Sequence, residues 1–392
     1  MKYKLHWIDL YIIFWAAYHI GLYFQISGSA YFLIITLIWS FYDMACLFYQ
    51  QREKSPFLIA YTVFFLMLFF YGLFLAVGGE YLYSIHGRMS NTQYIQKVTV
   101  SLLPFYTFYR GFVEKKIVLS KAFYWIIPFF AVAISGYYMQ LGNALQIING
   151  FADDDVDEVV NNGSYLILGL VPFVCLAKKR IIHLLCFAVC FYLILTAYKR
   201  GPIVIFFVCM TYYFLNSTKL SSKRIGTTLL VIVAFSMGFL FFTDFFEGSD
   251  LLQERWTATI EGSSSGRDSI SSLMLDVFMN SNIIQLLFGH GAYGTLSLTR
   301  RLAHNDWLQI LVDQGVIGIS VFVFFCWCLI KQWKTSDNSC NAKKSYGMFL
   351  IIFLLTSIVS MAFDRIPLYE MVVMSAVVAQ NDLKTSCYFH QG

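Results

Sequence analysis

Long runs of apolar residues recur along almost the whole chain and constrain its fold more than any other feature. Each run is roughly 15 to 22 residues long, which is the length that a helix needs to cross a hydrocarbon core about 30 Å thick. The hydrophobic fraction of 58%, with only 13% charged residues, is outside the range of soluble globular domains. The sequence therefore predicts an all-α polytopic membrane protein in which residues 1–392 form a single integral membrane domain.

Twelve segments have the length and hydropathy of transmembrane helices. They cover residues 8–26, 30–49, 57–78, 93–110, 122–140, 164–177, 181–198, 202–216, 225–243, 306–330, 346–363 and 366–381. The sixth and twelfth segments are short. The first is long for a signal sequence and has no small-residue cleavage site after it, so we expect it to be retained.

The distribution of Lys and Arg predicts which side of the membrane each loop faces. With the N-terminus inside, 19 of the 28 lysines and arginines are cytoplasmic and the remaining 9 are external. This bias favours a topology in which both termini are cytoplasmic. The external cations oppose the bias and are candidates for binding, although Arg88 and Arg255 suit solvated loops. The nine are Arg88, Lys97, Lys199, Arg200, Arg255, Arg267, Arg300, Arg301 and Arg365.

The first of two long external loops, from Gly142 to Gly163, contains a run of acidic residues. The run is Asp153-Asp154-Asp155-Val156-Asp157-Glu158. Its spacing invites comparison with a calcium-binding loop, but the sixth position is Glu158 instead of glycine and the twelfth is Ser164 instead of glutamate. We therefore interpret it as a solvated acidic loop and predict no metal site.

The second external loop, residues 244–305, is much longer than a connection requires, and long ordered loops are usually functional. After Ser263-Ser264-Ser265-Gly266, apolar residues recur at the spacing of one helical face. They are Ile270, Leu273, Met274, Val277 and Phe278. The pattern predicts an amphipathic helix with a serine cap, lying on the bundle or at the membrane interface.

Cations stand where three external helices are predicted to begin. They are Lys199 and Arg200 before Pro202, Arg267 before the amphipathic helix, and Arg300 and Arg301 before the tenth segment. A helix N-terminus already carries partial positive charge and free N–H groups, so an added cation there favours a bound anion. Arginine suits bidentate phosphate capture. The alternatives are snorkelling for Arg200 and an ordinary exposed position for Arg267.

His304 is the candidate for proton transfer, because histidine titrates near neutrality and the neighbouring arginines disfavour its protonated form. A capping or interfacial histidine is the alternative. Asn305 or Asp306 is the predicted N-cap of the tenth segment. Asp306, Gln309 and Asp313 form one polar stripe that descends into this segment. Such a stripe is functional or serves as a structural partner for another span.

These motifs resemble the superfamily of O-antigen ligases and Wzy-type polysaccharide polymerases. The likeness covers roughly residues 180 to 330 and includes Tyr198-Lys199-Arg200-Gly201, Gly266-Arg267 and the block from His304-Asn305-Asp306-Trp307-Leu308-Gln309 to Gly315-Val316-Ile317-Gly318. Lys199 departs from the small or hydroxyl residue that is more usual before the arginine.

The resemblance implies a GT-C type fold and a metal-independent, inverting glycosyltransferase without a cofactor. The active site would face the periplasm, and the donor would be an oligosaccharide on undecaprenyl pyrophosphate. Arg200 and Arg267 would hold the pyrophosphate, and His304 would activate the acceptor hydroxyl. The expected substrate-binding residues around them are Lys199, Arg300, Arg301, Asn305, Asp306 and Gln309.

Three functions remain open on the sequence. A polymerase would extend the glycan on another lipid-linked repeat unit, with a chain-length regulator as a possible partner, and this is the function we predict. An O-antigen ligase would transfer the glycan to lipid A-core through the same residues. A flippase would also have about twelve spans, but it would be expected to show repeat symmetry between its halves. Membrane lipid is a partner in all three cases, and nucleic acid in none.

Overall fold

The computed structural model describes residues 6–50, 55–74, 82–84, 87–89, 91–118, 127–139, 163–177, 180–197, 199–217, 267–299, 302–336, 341–360 and 368–389. Regular structure within these ranges is almost entirely helical, as predicted. The addition is a short antiparallel hairpin in which β1 (Leu82–Ser84) pairs with β2 (Gly87–Met89). The predicted span over 225–243, the acidic run at 153–158 and the serine cap at 263–265 lie outside the described residues.

The helices of the described ranges follow the predicted segments closely. They are α1 (Trp7–Tyr23), α2 (Ser29–Gln50), α3 (Pro56–Phe74), α4 (Asn91–Leu102), α5 (Pro104–Val113), α6 (Ile127–Met139), α7 (Gly163–Val174), α8 (Arg180–Leu195), α9 (Arg200–Ser217), α10 (Arg267–Met279), α11 (Ile283–Phe288), α12 (Gly294–Thr299), α13 (Asp306–Thr335), α14 (Asn341–Val359) and α15 (Leu368–Phe389).

Four helices of the described part are long and apolar enough to cross a membrane: α2, α3, α13 and α14. Shorter apolar helices, α6 to α9, occupy four more of the predicted segments. The segment predicted as one helix over 93–110 is instead two, α4 and α5. Proline at position 104 has no N–H to donate to the preceding turn, so the helix is interrupted at Leu103. The described part therefore has the helices of a polytopic membrane protein.

Aromatic side chains fill much of the core between α3, α5, α13 and α14. Phe64 of α3 stacks on Phe325 of α13 with ring centroids 4.8 Å apart, and Phe325 also meets Phe353 of α14 edge-on. Tyr61 packs against Phe105 at 4.2 Å between centroids. Close aromatic pairs add stabilisation beyond the area they bury. These contacts pack α13 against both α3 and α14.

Candidate functional site at the start of α13

The N-terminus of α13 is built by three consecutive polar residues with different roles. The side-chain oxygen of Asn305 accepts hydrogen bonds from the backbone N–H groups of Trp307 at 2.9 Å and Leu308 at 3.2 Å. This confirms Asn305 as the N-cap. Asp306 is buried, whereas His304 is exposed and has a positive φ of 49°. Capping therefore fixes the helix start, and the adjacent left-handed turn presents His304 at the surface.

A break inside α13 creates the attachment point for the preceding loop. Gly315 has φ 69° and ψ −166°, which ends the regular helix there and leaves preceding carbonyl groups without their helical partners. The oxygen of Val312 accepts from the N–H of His290, and that of Asp313 from the N–H of Gly291, both at 2.9 Å. Main-chain hydrogen bonds therefore hold the 289–291 loop on the broken helix.

The two glycines at this junction have almost no room for a side chain. A Cβ atom on Gly315 would lie 2.5 Å from the carbonyl of Leu287, and one on Gly289 would lie 2.3 Å from that of Asp313. Gly289 also has a positive φ of 76° with ψ −170°, a region that only glycine readily enters. The hydroxyl of Tyr71 completes the junction by donating to the carbonyl of Phe288 at 2.6 Å.

Below His304, a buried polar cluster joins α12 and the 302–304 segment to α13. The backbone N–H of Thr295 donates to Asp313 Oδ1 at 2.7 Å. The amide nitrogen of Gln309 donates to Asp313 Oδ2 at 2.5 Å and to the hydroxyl of Thr295, and its oxygen accepts from the N–H of Ala303 at 3.1 Å. Gln309 is only 2% exposed, and all three of its hydrogen bonds are to groups of the protein.

The amphipathic helix predicted from Ile270 to Phe278 exists as α10 and packs on the same part of α13. Met274 of α10 is fully buried against Ala303 and Val312, and Ile270 packs against this cluster from one turn nearer the helix start. Arg267 is exposed at the first residue of α10. The helix carrying Arg267 and the turn carrying His304 therefore share one small apolar contact.

The start of α9, where Arg200 lies, reaches the same region through the last turn of α14. A Cβ atom on Gly201 would lie 3.6 Å from Val359 Cγ2. Two residues earlier on α14, the hydroxyl of Ser357 accepts a hydrogen bond from the indole nitrogen of Trp307 at 3.1 Å. The N-terminal ends of α9 and α13 thus both abut the final turn of α14.

Lys199 has a partner within the protein just before α9. Its Nζ atom lies 4.9 Å from the centroid of the Tyr165 ring on α7, which is the range of cation–π attraction. The side chain of Lys199 is half-buried there. Tyr165 also approaches Gly201, where a Cβ atom would lie 2.9 Å from its hydroxyl oxygen. The residue that departs from the usual motif is therefore held against α7.

His290 connects the end of α10 to the loop on the broken helix. The Ser281 hydroxyl donates to the carbonyl of Val277 at 2.7 Å, which leaves its oxygen to accept from Nε2 of His290, also at 2.7 Å. Partial burial lowers the pKa of His290 below its usual value of 6.5, because desolvation penalises the charged ring. The histidine is therefore neutral at pH 7 and serves as a structural donor.

Three of the predicted site segments lie near the start of α13 in the described part of the chain. The segments bearing Arg200, Arg267 and His304 all meet the first turns of α13 or the helix end that abuts them. Arg300, Arg301 and the Arg200 side chain lie outside the described positions. Sequence reasoning missed the roles of Thr295, Tyr71 and Ser357, because a single hydroxyl in an apolar helix has no distinguishing pattern.

Comparison with known proteins identifies a family that matches part of the chain. Residues 185–323 match the family described as O-antigen ligase. The matched segment runs from α8 through α9 to α12 and ends in α13 beyond the Gly315 break, so it includes the three cationic or titratable positions of the site. No curated protein matches the chain. The match over residues 185–323 supports the resemblance of this part of the chain to the superfamily of O-antigen ligases and Wzy-type polymerases.

Proposed function

We propose that the protein is a Wzy-type polymerase of surface polysaccharide in the bacterial inner membrane. It transfers a growing glycan from undecaprenyl pyrophosphate to the non-reducing end sugar of another lipid-linked repeat unit on the periplasmic face. The family match supports a glycosyl-transfer enzyme of the O-antigen ligase and polymerase type. The GT-C fold, the twelve spans and the cytoplasmic termini belong to this proposal, as does a chain-length regulator as partner.

The proposal is based on the positions of three helices around the start of α13. The N-terminal ends of α9 and α13 abut the last turn of α14, and α10 packs through Ile270 and Met274 on the cluster that contains Ala303, next to His304. Arg200 and Arg267 stand at the first positions of their helices, where helix dipoles and free N–H groups favour an anion. A pyrophosphate group is an anion of matching charge, and an exposed histidine beside it suits an acceptor hydroxyl.

In the proposed reaction the acceptor hydroxyl attacks the anomeric carbon of the donor glycan, and the bond from that carbon to the pyrophosphate oxygen breaks. A neutral His304 accepts the hydroxyl proton as the new bond forms. Arg200 and Arg267 stabilise the negative charge that develops on the leaving pyrophosphate. Gln309, Asn305 and Asp306 position this machinery, because the first two bond within the protein and Asp306 is buried.

The test is the polysaccharide made by cells that express single variants in place of the native chain. Arg200→Ala, Arg267→Ala and His304→Ala should each leave surface glycan of a single repeat unit, as seen on a silver-stained gel. Asp276→Ala, which removes an exposed charge from α10, is the matched control and should leave long chains. Normal long chains from all three site variants, with expression verified, would contradict the assignment.

The ligase is the second candidate, because the family that matches residues 185–323 is described as O-antigen ligase. Deletion of a ligase leaves bare lipid A-core at the surface and long glycans on the lipid carrier. Deletion of a polymerase instead leaves core carrying one repeat unit. A flippase would be indicated by lipid-linked units that accumulate on the cytoplasmic face. One deletion strain distinguishes these three outcomes. The measurements are the glycan on lipid A-core, the glycan on the lipid carrier, and the membrane face on which lipid-linked units accumulate.

A further inference from the structure

The short helix α11 exposes a continuous apolar surface that the proposed reaction does not use. Its residues Ile283, Ile284, Leu287 and Phe288 are between 41% and 68% exposed. Met279, just before it, is 75% exposed. None of the six residues of α11 is charged. An apolar patch of this kind on a loop element is a binding surface for something outside the described chain.

Hydrogen bonds within the protein hold both ends of α11. Asn282 accepts from the N–H groups of Ile284 and Gln285, and the Gln285 side chain accepts from the N–H of Asn282 in return. At the other end, the Phe288 carbonyl accepts from the Tyr71 hydroxyl. A hydrocarbon environment requires such internal pairing, because it offers no water to replace a missing hydrogen bond.

The surface of α11 is continuous with apolar surface on two candidate membrane-spanning helices. Leu287 touches Gly315, and the residues that follow on α13, Val316 and Ile317, are 43% and 40% exposed. Tyr71, which bonds to Phe288, lies between two exposed residues of α3, Phe70 and Leu73. The apolar half of α13 therefore begins where α11 docks.

We propose that α11 is a membrane-embedded anchor whose apolar face lies in the acyl-chain region of the outer leaflet. The occupant of this surface is bilayer lipid, because α11 docks beside exposed apolar residues of α3 and α13, two helices that are long and apolar enough to cross a membrane. The anchor fixes the depth of the 289–291 loop, and hence of α10 and α12, relative to the bilayer. This inference is independent of whether the enzyme is a polymerase or a ligase.

The experiment measures contact between α11 and acyl chains in the full-length protein. A coumarin-bearing amino acid replaces Ile284, and the purified protein is placed in nanodiscs of phospholipid with ordinary or brominated acyl chains. Bromine quenches fluorescence only at short range. The matched controls carry the probe at Asp276 of α10, which is charged and exposed, and at Val323 of α13, which is 48% exposed in the apolar half.

Bromine quenching of the probe at Ile284 should approach the quenching at Val323. It should exceed the quenching at Asp276 severalfold. Quenching at 284 no greater than at 276 would overturn the proposal, whether water, a protein partner or a second copy then covers the surface. The same probe at Leu287 provides an independent position if the 284 variant does not elute as a folded protein. Ile284 is 68% exposed and Leu287 is 41% exposed, so a probe at either position reaches the outer surface of α11.

Discussion

At the residue scale, Gln309 joins three parts of the candidate site that are separated in the sequence. Its amide links the backbone of Ala303, the hydroxyl of Thr295 and the carboxyl group of Asp313. The spacing of Asp306, Gln309 and Asp313 predicted one polar face, and all three are buried. It did not predict their partners, because Thr295 comes from a helix brought to α13 by tertiary contacts alone.

Replacing Gln309 by leucine should destabilise the protein and reduce its activity. The change leaves the Ala303 N–H and the Asp313 carboxyl group without this partner in a buried site, at about 1–3 kcal/mol for each group. We expect a thermal midpoint in detergent that is lower by roughly 2–7 °C.

The control for Gln309→Leu is Ser320→Ala on the same helix, since Ser320 is exposed and bonds only to the carbonyl of Val316. That variant should stay within about 0.5 kcal/mol of the native protein. Equal midpoints for the two variants would show that the Gln309 cluster adds little to the fold.

At the scale of elements, the break in α13 decides how the external loop is attached. The apolar pattern of the sequence predicted a continuous helix from 306 to 330, because one glycine does not disturb helical periodicity. The helix is instead interrupted at Gly315. By contrast, the spacing of Ile270 and Phe278 predicted α10 correctly, since an amphipathic face is encoded locally. Main-chain contacts between distant segments have no such local signature.

Alanine at either glycine of the break should destabilise the loop attachment. Gly315→Ala and Gly289→Ala each force a Cβ atom to within 2.5 Å of backbone atoms and a residue with a side chain into a conformation suited to glycine, which costs about 1–3 kcal/mol before the overlap is counted. Limited proteolysis in detergent should then cleave between residues 279 and 305 faster than in the native protein.

The control variant Gly28→Ala distinguishes the effect of atomic overlap from the effect of an unfavourable φ angle. Gly28 also has a positive φ, of 96°, but a Cβ atom there would meet only the Tyr31 ring at 3.7 Å. We expect this variant to lose less thermal stability than Gly315→Ala and to leave the proteolysis of the loop unchanged. Similar losses from Gly28→Ala and Gly315→Ala would mean that the close approach at the break is unimportant.

At the scale of the whole molecule, the candidate site lies at the N-terminal end of α13, whereas Lys331 and Lys334 lie at its other end. The charge bias predicts that these lysines are cytoplasmic and that His304 is external. The sequence yields this prediction because sidedness depends on composition summed over loops. It does not predict that α9 and α13 meet at the end of α14, because that depends on which helices pack together.

Reporter fusions should confirm this sidedness. Green fluorescent protein fused after Gly392 should fluoresce, since that reporter folds in the cytoplasm. Alkaline phosphatase inserted between residues 244 and 265 should be active, since it requires the periplasm. The reciprocal fusions serve as controls and should be inactive. Phosphatase activity at the C-terminus would invert the arrangement and place His304 on the cytoplasmic side.

The attachment of the 289–291 loop also bears on how such an enzyme diversifies. Because backbone groups make the hydrogen bonds to Val312 and Asp313, they place no demand on the side chains of neighbouring loop residues. These two bonds would survive a substitution of the His290 side chain, whereas its hydrogen bond to Ser281 would not. A loop fastened through its main chain can therefore keep its place on α13 in relatives whose side chains at these positions differ.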